Sequence, residues 1–148
     1  KSTLERSSAA SDVYKRQIIS VEEYRAGTVK APLIYLDFWA SWCGPCKQAF
    51  PFMNQLQQQY ADQGFTVIAI NLDSQRKDAE RFLKQVPAEF PIVLDPKGEL
   101  AREFAVPSMP TSYLLSADGT VLHRHEGFRN SDREAIKASL QKALAAIP

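Results

Sequence analysis

At 148 residues the chain has room for one domain with a sizeable core. Its 18 lysines and arginines stand against 17 aspartates and glutamates, a net charge of +1, so no field favours nucleic acid or an anionic membrane. The two cysteines cannot staple a disulfide framework or complete a four-cysteine zinc site, and no apolar run is long enough to cross a bilayer.

Residues 1–17 read differently from the rest: polar, rich in serine and charge, and without apolar periodicity. They are expected to lie outside the fold as a disordered or artefactual tail, with the domain over 18–148. Asp12-Val13-Tyr14-Lys15-Arg16-Gln17 looks like one reading frame of the transposon-end adaptor used in sequencing libraries. That implies a missing genuine amino terminus and leaves open a signal peptide or membrane anchor before Ile18. Ser20-Val21-Glu22-Glu23 offers a capping box for a short helix to about Ala26, with Gly27 as its stop. Leu33–Trp39 then has the near-continuous apolar run of a strand covered on both faces. Asp37 is the exception, and a carboxylate there is costly unless it has a partner or a task.

The strand runs into Ala40-Ser41-Trp42-Cys43-Gly44-Pro45-Cys46-Lys47, where Pro45 suits the first turn of a helix. The apolar positions Cys46, Ala49, Met53, Leu56 and Tyr60 recur three or four apart, so Cys46 should point inward while Cys43 stays at an exposed tip. Unpaired backbone N–H groups at the helix end would stabilise an anion at Cys43 and pull its thiol below the ordinary value of about 8.5. The helix is expected over 45–63, bent near Lys47 by Pro51 and ended by Gly64.

Phe65–Asn71 reads as a second buried strand, which makes a βαβ unit with a parallel pair. A helix over 74–86 follows, with Ala79, Phe82, Leu83 and Val86 on one face and Pro87 as its stop. A short strand near 91–94, a turn at 95–98 and a short helix over 99–104 complete an α/β insert. Thr111–Ser116 and Val121–Glu126 form an antiparallel hairpin. Ser131-Asp132-Arg133-Glu134 reads as a second capping box for a closing helix whose stripe is Ile136, Leu140 and Leu144. The sum is an α/β fold: a central mixed sheet flanked by helices.

Asp-Phe-Trp-Ala-Ser-Trp-Cys-Gly-Pro-Cys-Lys, joined by Met109-Pro110-Thr111 opening a later strand, resembles the thioredoxin superfamily over 20–148. The long insert before that strand is similar to bacterial TlpA-like thiol-disulfide oxidoreductases. The resemblance implies a redox-active Cys43–Cys46 pair in which Cys43 attacks and Cys46 resolves the mixed disulfide. It implies that Asp37 is the buried carboxylate exchanging a proton with Cys46, and that Pro110 is a cis-proline. Trp42, Gly44, Pro45, Met109 and Pro110 would form the substrate-docking surface, the Met109 backbone pairing with an extended segment. Disulfide-bearing protein substrates, an upstream thiol electron donor such as a membrane reductase, a monomeric state, a periplasmic location and no cofactor follow from the same resemblance.

Two departures sharpen the expectation. At Ala49 many reductases of cytochrome c maturation carry a glutamate, which argues against that service here. At Ala69 cytosolic-type thioredoxins carry a lysine; without that cation Asp37 should hold its proton more tightly. His123 and His125 share a strand face and could offer two metal nitrogens, but read as solvated, and no metal site is assigned. Gly-Pro between the cysteines resembles strongly reducing thioredoxins, which implies a reductase rather than an oxidase, and the alternative is a copper(I)-binding or metal-transfer module using the same dithiol.

Overall fold

The computed structural model describes residues 17–147. The tail expected over 1–17 falls outside the described residues except at Gln17, whose carbonyl accepts from the Ile92 N–H at 2.7 Å. The chain lays down β1 (Ile18–Ser20), α1 (Val21–Arg25), β2 (Leu33–Trp39), α2 (Gly44–Tyr60), β3 (Phe65–Asn71) and α3 (Arg76–Gln85). Then come β4 (Ile92–Leu94), α4 (Glu99–Glu103), β5 (Thr111–Ser116), β6 (Val121–Glu126) and α5 (Asp132–Ala145).

Six strands form one sheet in the order β1-β4-β3-β2-β5-β6. The β1–β4, β4–β3 and β3–β2 pairs are parallel, whereas β2–β5 and β5–β6 are antiparallel. This is the mixed sheet expected from the sequence, with β2 at its centre and buried on both sides. Successive side chains of a strand face opposite ways, so β2 feeds two cores. Leu33, Tyr35 and Trp39 join Phe50 and Leu56 of α2, Phe82 of α3 and Leu140 of α5 on one face. Leu36 and Phe38 join Val21 of α1 and Leu100 of α4 on the other. Trp39, Phe50 and Phe82 meet with ring centroids 4.7 to 5.0 Å apart, a packed aromatic floor under the turn that leads into α2.

Ser20 caps α1 as expected: its hydroxyl accepts from Glu23 N, and the Glu23 carboxylate accepts from Ser20 N. Helix α2 runs through Pro51 without a break and passes into a 3-10 turn, Ala61–Gln63, before Gly64 turns left-handed at φ 88°. Three expectations change. Strand β1 was not foreseen; it is three residues long, and its pairing lies far along the chain, in β4. Helix α3 starts at Arg76 rather than near Ser74. Ser131 makes no side-chain cap on α5: its backbone is already helical at φ −67° and ψ −16°, not extended as a capping residue's is, and the Asp132 carboxylate reaches back to accept from Arg129 N at 2.7 Å.

Candidate functional site

The site grows from the junction of β2 and α2. Cys43 is the residue before the helix, in extended conformation, and Pro45 sits in the first turn, where its missing N–H leaves no bond unmade. The Cys43 Sγ accepts from Cys46 N at 3.3 Å, and Cys43 and Cys46 are joined as a disulfide with their Cα atoms 5.3 Å apart. Helix α2 carries no acidic side chain in its first turn, so sulfur is the acceptor placed at its positive end. Trp42 stands out from the surface at 72% exposure, beside the dithiol.

One expectation is corrected. Cys43 is not an exposed tip: it retains 7% of its surface, against 0% for Cys46. The bond between the sulfurs, with the contact from Cys46 N, draws the outer sulfur onto the helix end.

The turn carrying Cys43 is tied down from the end of β3. Asp73, itself buried, accepts from Ser41 N at 2.9 Å, from the Ser41 hydroxyl at 2.8 Å and from Asn71 Nδ2 at 2.8 Å. Asn71 in turn accepts from Asp73 N at 3.0 Å. The sequence reading singled out neither residue. The available signal was a pair of polar groups, Asn71 and Asp73, at the carboxyl end of a buried parallel strand, where α/β sheets gather their functional groups.

Asp37 lies in the middle of β2, between Tyr35 and Trp39 on the face that also receives Cys46. It is 2% exposed, and its Oδ2 is buried without a hydrogen-bond partner. Burial pushes its carboxyl well above the usual carboxylate range. Ala69 stands directly opposite on β3, so no cation meets it there. Ser112 stands opposite on β5 and accepts a 2.9 Å bond from the Tyr35 hydroxyl.

The Met109–Pro110 peptide is cis, and Pro110 is buried at the start of β5. Met109 is half-buried against the core cluster that contains both cysteines. Ala49 is buried on α2, a position that cannot titrate. His123 is exposed, but His125 is only half-exposed, with Nε2 3.2 Å from Asp132 Oδ2, so it is less solvated than the sequence suggested. Among the described residues no group of three or more histidines, cysteines, aspartates or glutamates gathers as it would to hold a metal ion, and no helix is long and apolar enough to cross a membrane.

Comparison with known proteins places this geometry. The Redoxin family model matches residues 22–140. Thiol-disulfide oxidoreductase ResA of Bacillus thuringiensis subsp. konkukian is 33% identical over 109 residues, 74% of this chain and 62% of that protein. The chain therefore spans about three-fifths of the length of such curated relatives. Among solved structures, a Chlorobium tepidum protein put forward as a thiol:disulfide interchange protein, DsbE, is 52% identical, with a TM-score of 0.76 over 78% of this chain and 82% of that one. StoA of Bacillus subtilis is 31% identical, with a TM-score of 0.65 over 76% and 84%.

Proposed function

The chain belongs to the Redoxin family, with a thioredoxin-like fold, and from that membership we propose that it is a thiol-disulfide oxidoreductase acting as a reductase of protein disulfides. The observation that carries the reading is the Cys43–Cys46 disulfide at the start of α2, with an unpartnered buried carboxyl, Asp37, on the sheet face below. In the reduced form Cys43 is the thiolate, held at the helix end by backbone N–H groups. It attacks a substrate disulfide; one S–S bond breaks, a Cys43–substrate disulfide forms and the first substrate thiolate leaves. Cys46 then loses its proton to Asp37 and attacks the Cys43 sulfur, which releases the second substrate thiolate. Two electrons have passed to the substrate, and the enzyme is left as the disulfide seen in the structure. A thiol donor, such as a membrane reductase, must supply two electrons to restart the cycle.

Trp42, Gly44, Pro45, Met109 and Pro110 form the docking surface in this reading. Exposed indole beside a dithiol suits an extended protein segment, and the Met109 backbone suits pairing with it as an added strand. The kinship with ResA and the α/β insert support a periplasmic location, which fractionation of cells expressing the gene would test.

Insulin reduction by the purified chain tests the activity. Cys43→Ser is expected to abolish it, and Cys46→Ser to accumulate a mixed disulfide detectable by mass. Retained reduction in Cys43→Ser overturns the reading. The reduction potential is expected near that of thioredoxin, about −270 mV, and a value near about −120 mV makes the protein an oxidant instead. Alkylation of the reduced chain against pH should place the Cys43 midpoint at least about one pH unit below the free-cysteine value of about 8.5.

A further inference from the structure

Asp37 is a buried carboxyl whose Oδ2 lacks a hydrogen-bond partner, and its neighbour across β3 is Ala69. On the β5 side its neighbour is Ser112, and residues directly opposite in an antiparallel pair put their side chains on the same face, Cβ atoms about 4.5–5.5 Å apart. Tyr35, two positions before Asp37 on β2, shares that face and bonds to Ser112 at 2.9 Å.

The donor count is then decisive. Two hydroxyls bonded to each other use one O–H and leave one over, whichever of them donates. Tyr35 is 5% exposed and Ser112 4%, so the remaining proton has little bulk water to reach. One patch of the sheet thus holds one surplus donor and one unpartnered acceptor, on strands where Ser112 and Asp37 stand directly opposite each other.

We infer that Ser112, held by Tyr35, is a positioning residue that donates a hydrogen bond to the ionised form of Asp37, the form that takes the proton from Cys46. The inference rests on the proposed reductase reading and supplies what the sequence lacks at Ala69: a group that stabilises the carboxylate once formed. Hydrogen bonds to an ionised acceptor are roughly twice as strong as neutral ones, so the effect falls on the carboxylate more than on the acid. The phenol of Tyr35 is pushed above its ordinary range, first by burial and then by the nearby Asp37, which agrees with the two groups being close.

The ionisable groups around Asp37 are few. Tyr35 comes from β2, Cys46 from α2 with Cys43 just before it, and β3 offers Ala69 in register with Asp73 beyond its end. Beyond Ser112, β6 brings His125 into the same row, and Asp132 of α5 lies against it.

The test is the Asp37 carboxyl titration in the reduced full chain, followed by carbon NMR and identified by its loss in Asp37→Asn. Ser112→Ala is expected to raise the midpoint by about one pH unit. Tyr35→Phe should raise it less, and Ser112→Thr, which keeps the hydroxyl, should leave it near the parent value. Below the parent midpoint, Cys46 in Ser112→Ala should resolve a mixed disulfide about tenfold more slowly, converging with the parent as pH rises past the new midpoint. An unchanged or lowered midpoint in Ser112→Ala overturns the inference, as does a carboxyl that never ionises in the parent. The titration needs no turnover. A raised midpoint in a chain that fails to reduce insulin would therefore sink the reductase reading while leaving the hydrogen bond standing.

Discussion

Asp95 and Asp37 are both carboxylates buried in the same sheet-and-helix interior, at 0% and 2% exposure, yet their surroundings are opposite. Asp95, in the turn after β4, accepts from Glu99 N at 2.8 Å, Leu100 N at 3.0 Å and Ala101 N at 3.2 Å. It occupies the orphan donors at the start of α4 and is fully engaged as structure. Asp37 has an oxygen with no donor at all. An occupied carboxylate has its position fixed by its partners. An unoccupied one in an apolar interior has its proton affinity raised by burial alone and can exchange its proton. The same side chain therefore serves as a cap in one place and as a candidate proton carrier in the other.

The contrast is broken most severely at the occupied site. Asp95→Ala strips three backbone donors, one of them on a buried bond, and is expected to cost about 3 kcal/mol, since each buried donor left unsatisfied costs roughly 1–3 kcal/mol. Urea unfolding should show it as a lower midpoint with an unchanged slope. The dithiol chemistry of the molecules that remain folded should be intact.

Asp37→Asn should do the reverse. Resolution of a chromogenic mixed disulfide on Cys43 by Cys46 is expected to slow about a hundredfold, the lower end of what a positioned acid or base contributes. Stability should move the other way, with a sign that follows from burial. The folded protein holds a proton on Asp37 that the unfolded chain releases above a pH of about 3.9. The stability this proton confers is complete below that pH and is lost as pH rises toward the folded midpoint, at about 1.4 kcal/mol per pH unit. Asn cannot ionise, so the difference between variant and parent should grow in favour of the variant across that window. A parent and variant with parallel pH profiles would mean that Asp37 is as well served as Asp95.

How these features show in sequence depends on whether their cause is local. Strands β2, β3 and β5 match their expected bounds residue for residue, because burial leaves its mark on contiguous positions, whereas β6, almost wholly exposed, is placed by the turn at 117–120 before it. The start of α2 is written in Cys43 and Pro45 themselves. Strand β1 is too short to carry a pattern, and its partner β4 is distant in the chain. The Ser131 cap is absent because Ser131 has helical backbone angles, which the capping-box pattern does not reveal. The exposure of Cys43 failed because helical spacing constrains only residues inside the helix, and Cys43 precedes it. Pro110 was legible as cis only through family resemblance, since an isolated X-Pro bond is cis about 5–6% of the time. Ser112 and Asp73 gain their meaning from register across strands and from a loop contact, which no local window contains.

Asp73 offers the finest division between holding and acting. Its oxygens are all engaged, by Ser41 N, the Ser41 hydroxyl and Asn71, so by the logic of Asp95 it should hold the turn before Cys43 and take no part in proton movement. Ser41→Ala removes only the hydroxyl bond and leaves the backbone one, and should therefore cost about 1 kcal/mol in urea unfolding. The remaining bond keeps the turn in place, so the pH midpoint for alkylating Cys43 should stay where the parent has it. A midpoint displaced by as much as in Ser112→Ala would show that Asp73, once partly released, acts on the sulfur directly. Engagement by donors would then no longer separate the carboxylates that hold this fold from the one proposed to move its proton.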